Sequence, residues 1–238
     1  MLSTAARMEN ALSQCAESLE LLGGLETGRV AVGLVSTAKY FAPRVLAAFM
    51  KTRPNIDVRV QIGNRAEIMA ALRDFDLDFA ITGRPPREFE INSVVIGDHP
   101  HIVIAPPDHP LANRKGLPFP ALAGERFLLR EHGSGTRLLM RRLFSDAGLN
   151  PDLGLELGGN ETIKQAVMAG LGIALISAHT VTAELADGRL VALNVTGLPV
   201  VRQWFAVRQQ SKRLLPAASD LWDFFAVSGA RFLPKVPS

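Results

Sequence analysis

The chain has a single cysteine, no long apolar run and little net charge, and each shortage excludes a class of protein. With only Cys15 among 238 residues, the chain can form neither a disulfide framework nor a cysteine-rich metal site. No stretch approaches the roughly 18 apolar residues of a membrane span. The N-terminus lacks the basic flank, apolar run and cleavage site of a secretory signal. We therefore expect no membrane contact and a cytoplasmic location.

Evidence for DNA binding, metal binding or catalysis is also lacking. A net charge of +3 is too small to indicate nucleic-acid binding by itself, because specific DNA recognition draws on a dense basic footprint. The five histidines show no metal-ligand spacing, and we expect His99 and His101 to lie in a surface turn around Pro100. Ser134 does not stand in a G-x-S-x-G nucleophile elbow. No acid–base or nucleophile–base pair is present in the pattern, so we predict neither catalytic residues nor metal ligands.

From residue 28 onward, short apolar runs alternate with amphipathic segments. With 47% hydrophobic and 21% charged residues, the chain can bury a substantial core, and one two-lobed or two-domain unit is expected. Alternating strands and helices of these lengths indicate an α/β fold with right-handed crossovers. The predicted strands are 29–36, 57–63, 77–83, 92–97, 101–107, 126–131, 153–159, 172–177, 189–195 and 202–208. The predicted helices are 41–54, 65–74, 136–148, 161–170, 180–188 and 216–227.

Residues 1–24 differ from the rest, because they show a heptad seam that Gly23 and Gly24 then end. A helix this short is marginal alone, so its apolar stripe must pack on something. It either pairs with the same helix of a second subunit or folds back on its own domain. The seam consists of Ala5, Met8, Leu12, Cys15, Leu19 and Leu22.

Small polar and basic side chains follow the predicted strands at several points where a helix begins. Such residues are common N-caps, each worth about 1 kcal/mol, and capping alone explains any single junction. Their combination favours an anion site, because a helix N-terminus offers free N–H groups and a partial positive charge. The candidate residues are Ser36, Thr37, Lys39, Asn64, Arg84, Arg130, Ser134, Thr136, Arg137 and Asn160.

The segment LLREHGSGTR, residues 128–137, is the most suggestive of these junctions. Arg130 and Arg137 flank a Gly-Ser-Gly-Thr turn that leads into a predicted helix. Glycines permit close backbone approach, and arginine recognises carboxylate or phosphate with a forked pair of donors. The pattern therefore favours a cradle for an anion over a flexible connection.

Several segments in combination resemble the effector-binding region of LysR-type transcriptional regulators over about residues 28–227. They are HPLA (109–112), REHGSGTR (130–137) and AVMAGLGIALIS (166–177). Within that family, five segments look closest to the regulators of Calvin-cycle (RuBisCO) operons: STAKYFAPR, GNR, GRPP, APPDHPLA and NETIKQAVMAGLG. The resemblance implies two Rossmann-like subdomains joined by two crossover strands, like a type 2 periplasmic binding protein, with an effector in the cleft.

The resemblance also implies a division of the chain. Residues 1–24 correspond to the linker and dimerisation helix. Regulatory subdomain I would comprise 28–106 plus 206–230, and regulatory subdomain II would comprise 107–205. Nothing here corresponds to the family's winged helix-turn-helix, so operator DNA would be bound only through that domain.

Carried over by position, the family's effector contacts fall on the residues found at the strand ends, with Asn160 as a further candidate. The effector would be a phosphorylated metabolite or NADPH, no other cofactor would be required, and the protein would form a homodimer or homotetramer. Two alternatives share the two-lobed architecture. A periplasmic-type solute-binding protein would be found in the periplasm, and an enzyme on this scaffold would turn over its bound anion.

Overall fold

The computed structural model describes Met8, Leu12 and residues 27–236. Met8 and Leu12 are helical and are 63% and 70% exposed; the other positions of the predicted N-terminal helix lie outside the described residues. No helix in the described part of the chain is both long and apolar enough to cross a membrane.

The chain divides into two compact units. Unit 1 comprises Met1–Gly97 and Gln203–Leu233, and unit 2 comprises Asp98–Arg202 and Pro234–Ser238. The sequence-based boundaries at residues 106 and 205 differ from these, because the chain passes from one unit to the other within a long strand, at Gly97, and again between Arg202 and Gln203. That the units act as the two regulatory subdomains remains a prediction.

Unit 1 is built on parallel strands covered by helices. Strand β1 pairs in parallel with β2, from Gly28 opposite Ile56 to Val35 opposite Gly63, and with β3 on its other side. β9 is antiparallel to β3. The elements are β1 (Gly28–Val35), α1 (Ala42–Thr52), β2 (Ile56–Gly63), α2 (Arg65–Arg73), β3 (Phe79–Thr82), β9 (Val200–Gln209) and α6 (Pro216–Ser228), with β9 entering the unit at Gln203.

The core of unit 1 is rich in aromatic side chains. Trp204 of β9 is fully buried and its ring centroid lies 5.1 Å from that of Phe41. Phe79 of β3 makes edge contacts with Trp222 and Phe225 of α6. Such pairs add to the hydrophobic energy of burial, so they fix α6 on the sheet and hold the carboxyl ends of β1, β2 and β3 in place.

Unit 2 combines an antiparallel group and a parallel pair of strands. β4 is antiparallel to β7 and β8, and β5 is parallel to β6. Gly172 has a φ of +151°, and a Cβ there would lie 2.5 Å from the Arg126 main-chain oxygen, so only glycine fits beside β5. The elements are β4 (Ile91–Ala105), β5 (Arg126–Arg130), α3 (Gly135–Asp146), β6 (Asp152–Leu157), α4 (Asn160–Met168), β7 (Ala174–Ser177), α5 (Thr182–Ala186) and β8 (Val191–Ala192).

The prediction that His99 and His101 lie in a surface turn around Pro100 is wrong. Residues 91–105 form one strand, and His99 and His101 are 3% and 1% exposed. Pro100 precedes the ladder with β7, which begins at His101, so its missing N–H removes no hydrogen bond from that ladder. His99 instead lies 2.9 Å from the Ser177 hydroxyl through Nε2.

Candidate anion-binding site

In unit 1, the predicted residues Ser36, Asn64 and Arg84 follow the ends of β1, β2 and β3. Because these strands are parallel neighbours, their carboxyl ends meet at one edge of the sheet, where α/β proteins bind ligands. The Ser36 N–H donates to the Gly63 carbonyl at 2.8 Å, which ties the ends of β1 and β2 together. The structure therefore brings these three residues to one edge of the sheet, and their function as effector contacts stays a prediction.

Thr37 and Lys39 lie on the short turn after β1. Thr37 is buried, and a single 3₁₀ turn, Ala38–Tyr40, follows it. The Lys39 ammonium lies 5.3 Å from the centroid of the Tyr40 ring, within the range of a cation–π interaction. Lys39 is therefore held at the edge by its neighbour.

Asn64 serves as the N-cap of α2. Its Oδ1 accepts from the Glu67 N–H at 3.1 Å, and Glu67 Oε2 accepts from the Asn64 N–H at 2.9 Å. This reciprocal pair is a capping box. The Asn64 amide also donates to Glu67, so the capping interpretation accounts for this residue in full.

Arg84 lies just beyond β3, where the Thr82 hydroxyl donates to its carbonyl at 3.3 Å. Its guanidinium makes no hydrogen bond or ion pair to any residue that the structure describes. Arg84 thus differs from Arg130 and Arg137 of unit 2, which pair with carboxylates.

In unit 2, Arg130 ends β5 and is 3% exposed. Its Nε and Nη2 donate to the two carboxylate oxygens of Glu131, each at 2.7 Å. Its Nη1 donates to the Asn160 side-chain oxygen. A buried guanidinium needs such partners, so Arg130 has a structural function whatever else it binds.

Arg137, in the first turn of α3, joins the same cluster. Its Nη1 donates to the Arg130 carbonyl at 2.9 Å and to Glu156 Oε2 at 2.5 Å. Its Nε is buried and has no acceptor among the described residues. One donor of this guanidinium is therefore left for a ligand or water.

Asn160 begins α4 and is fully buried. The N-cap before it is Gly159, with a φ of +79° that glycine adopts readily. The Gly159 N–H donates to Glu131 Oε2 at 3.2 Å. Glu131 thereby links Arg130 to the start of α4.

Ser134 and Thr136 lie at the start of α3, and both are buried. Ser134 stands at the N-cap, yet within the described part of the chain its side chain makes no capping hydrogen bond. Capping therefore does not explain this serine, whereas it does explain Asn64.

Two glutamates that the sequence analysis did not single out complete the cluster. Burial raises the pKa of Glu131, but the hydrogen bonds and charge of Arg130 outweigh burial, and the net pKa is lowered. The hydrogen bond from Arg137 lowers the pKa of Glu156. Both glutamates are thus held ionised, and two carboxylates balance two guanidiniums.

The structure therefore links Arg130, Arg137 and Asn160 by direct hydrogen bonds and places Ser134 and Thr136 beside them at the start of α3. It places Ser36, Thr37, Lys39, Asn64 and Arg84 together at one sheet edge of unit 1. Arg65, the last residue of the GNR segment, was not among the predicted contacts. The described residues contain no group of three or more histidine, cysteine, aspartate or glutamate side chains that could hold a metal ion.

Comparison with known proteins identifies relatives over the whole chain. The family model described as LysR substrate binding domain matches residues 23–228. The transcriptional regulator CbbR of Xanthobacter flavus is 56% identical over 239 residues, covering 100% of this chain and 72% of that protein. The RuBisCO operon transcriptional regulator of Allochromatium vinosum is 41% identical over 220 residues, covering 92% of this chain and 73% of that protein.

A solved structure agrees with these matches. It is the CcmR regulatory domain of Synechocystis PCC6803 in complex with 2-PG, which is 36% identical. The superposition has a TM-score of 0.81 and covers 84% of this chain and 96% of that one.

Proposed function

Because the chain belongs to the LysR family of transcriptional regulators and is a CbbR-like effector-binding domain, we propose that it senses a small phosphorylated anion and thereby controls transcription of carbon-fixation genes. The observation that carries this proposal is the cluster at the ends of β5 and β6. Two arginines, a buried asparagine and the N-termini of α3 and α4 lie together there.

The effector-binding residues we propose are the ten identified from the sequence. Arg137 contributes a positive charge and a free hydrogen-bond donor, since its buried Nε has no acceptor among the described residues. Ser134 and Thr136 contribute hydroxyls beside the N-terminus of α3, where free N–H groups favour an anion. Unit 1 contributes Ser36, Thr37, Lys39, Asn64 and Arg84, and the remaining members are Arg130 and Asn160.

The effector is a phosphorylated metabolite or NADPH. A relative that is 36% identical holds 2-PG in its regulatory domain, which supports a ligand of the size and charge of 2-phosphoglycolate. NADPH also carries phosphate groups and is therefore a second candidate for the effector. The domain needs no other cofactor and performs no catalysis.

Binding acts on transcription by shifting a conformational equilibrium. An effector that prefers one arrangement of the protein by 1–3 kcal/mol changes the equilibrium constant between the arrangements about 5- to 150-fold. We assign operator contact to a winged helix-turn-helix domain and a cytoplasmic location to the protein. It works as a homodimer or homotetramer, which the exposed apolar side chains of Met8 and Leu12 on a helix support.

The direct test is the thermal stability of the purified chain against a panel of anions. The panel contains ribulose bisphosphate, 2-phosphoglycolate, phosphoglycerate, phosphoenolpyruvate, NADPH, sulfate and citrate. A ligand at about 100 times its Kd adds about 2.7 kcal/mol to the free energy of unfolding. We expect a selective shift with one phosphorylated compound.

Two variants of α3 make the test specific to the site. Arg137→Gln should abolish most of the shift. Arg142→Gln removes an exposed ion pair with Asp146 on the same helix and should leave the shift unchanged. If no anion stabilises the wild-type chain, or if Arg137→Gln responds like wild type, the site assignment is wrong.

A further inference from the structure

Arg65 is an arginine whose charge the described residues hardly compensate. It is the first residue of α2, in unit 1, and its side chain is 15% exposed. Its closest acidic partner is Glu88, with Nη2 to Oε1 at 3.9 Å, which exceeds hydrogen-bond length. Its Nε is buried and finds no acceptor among the described residues. A desolvated cation with so weak a partner is costly unless something else binds it.

A second cation lies within electrostatic range of Arg65. Burial lowers the pKa of Arg65, Glu88 opposes that change, and the charge of Arg84 lowers the pKa further. The Arg84 guanidinium itself makes no hydrogen bond or ion pair within the described part of the chain. Arg65, which pairs only weakly with Glu88, is therefore also repelled by the charge of Arg84, beside the positive end of α2.

The Glu88 side chain is not held firmly enough to neutralise both Arg65 and Arg84. Its side chain is 67% exposed, and its Oε2 accepts from the Arg87 N–H at 2.7 Å. That main-chain bonding is the main reason its pKa is lowered, and Arg65 and Arg84 add smaller effects. An exposed glutamate on a loop can move aside when a stronger anion arrives.

Resting on the function proposed above, we propose that Arg65 and Arg84 bind the phosphate group of the effector and that Glu88 occupies this position in its absence. A phosphate carries nearly two negative charges at pH 7 and offers three acceptor oxygens. A phosphate can therefore accept hydrogen bonds from two guanidiniums at once and nearly neutralise both. A carboxylate has a single negative charge and can neutralise only one of them. The pair selects phosphorylated effectors over carboxylates of similar size.

The experiment is calorimetric titration of the purified chain with 2-phosphoglycolate and, separately, inorganic phosphate, at constant ionic strength. We expect Arg65→Gln to weaken 2-phosphoglycolate binding about tenfold or more, since charge-assisted hydrogen bonds are lost. Glu88→Gln should tighten binding about threefold, because a neutral amide competes less well for the guanidiniums. Inorganic phosphate should lose affinity in Arg65→Gln as well.

Arg53→Gln is the matched control, because Arg53 lies in the same unit and pairs at 3.1 Å with Asp220 of α6 rather than with Glu88. It should bind like wild type. Folding of each variant is checked by its thermal transition. If Arg65→Gln does not fold, the variant Glu88→Gln still tests the proposal, because Glu88 is exposed. An unchanged affinity of Glu88→Gln for 2-phosphoglycolate would show that the effector does not displace Glu88.

Failure of this inference differs from failure of the proposed function. If the wild-type chain binds 2-phosphoglycolate, Arg137→Gln loses that binding and a folded Arg65→Gln retains it, the assignment of Arg65 is wrong and the sensor function stands. If the wild-type chain binds no phosphorylated anion, both are wrong.

Discussion

Arg137 and Glu156 form an ion pair with 2.5 Å between Nη1 and Oε2. Glu156 is half-exposed in this pair while Arg137 is largely buried, so the carboxylate is the partner that can leave. An anionic effector that uses Arg137 must compete with it.

Neutralising Glu156 should therefore strengthen effector binding. We expect Glu156→Gln to lower the Kd for the stabilising anion about threefold, since the amide competes less for the guanidinium. Titration calorimetry measures this change. Asp146→Asn, which alters the exposed pair with Arg142 on α3, should leave the Kd unchanged. A Kd that rises in Glu156→Gln would mean that Glu156 positions Arg137 rather than competing for it.

Arg130 should matter more for stability than any exposed arginine. Replacing it by methionine removes the charge-assisted hydrogen bonds that Arg130 donates to Glu131 and Asn160 in a largely buried site, so we expect Arg130→Met to lower the free energy of unfolding by about 3 kcal/mol. Urea denaturation measures this loss. Adding Glu131→Gln should restore part of it, because the remaining group is then neutral. Arg142→Met, which removes an exposed pair, should cost about 0.5 kcal/mol or less; equal losses in the two single variants would contradict the structural function of Arg130.

Residue periodicity predicted most of the fold. The runs at 29–36 and 57–63 match β1 and β2 within a residue, because the buried strand β1 is a continuous apolar run and the more exposed β2 alternates apolar and polar residues. Pro43 and Pro54 correctly predicted the two ends of α1. Proline is tolerated in the first turn of a helix but cannot continue one. The expected strand 189–195 contains only Val191 and Ala192 as β8, since pairing depends on neighbours that the local pattern does not reveal.

The candidate site was predicted less completely than the fold. Strand ends and helix starts identified the positions of Arg130, Arg137 and Asn160, because these follow from topology. Their carboxylate partners were missed. Glu131 follows Arg130 directly, but a neighbouring opposite charge is usually solvated, and Glu156 lies 19 residues from Arg137. The parallel pairing of β5 with β6 sets Glu156 opposite Leu129, and the turn from β5 into α3 then brings Arg137 to Glu156.

The buried histidines of unit 2 should make stability depend on pH. Burial lowers the pKa of His101 to about 3 and that of His179 to about 4, and it lowers the pKa of His99 well below 6.5. Below pH 6.5 the unfolded chain binds protons that the folded chain does not, so the free energy of unfolding falls as the pH is lowered. His101 alone should account for about 2 kcal/mol of this loss at pH 5.

Urea denaturation between pH 7 and pH 5 measures the effect above the range in which glutamates titrate. His101→Gln should reduce the slope of stability against pH, whatever its effect at pH 7. His132→Gln changes an exposed histidine and should keep the wild-type slope. A wild-type stability that is flat from pH 7 to pH 5 would show that these imidazoles are not held neutral.

Self-association should depend on Leu12. This side chain is helical and 70% exposed, and Met8 one turn before it is 63% exposed, an arrangement typical of a seam that pairs with a second helix. Leu12→Lys places a charge in that seam, so we expect the dimer Kd from sedimentation equilibrium to rise at least about tenfold. Val227→Lys is the matched control, since Val227 of α6 is 75% exposed and lies outside the seam. If both variants associate like wild type, the N-terminal helix does not join subunits, and the alternative that it folds back on its own domain gains support.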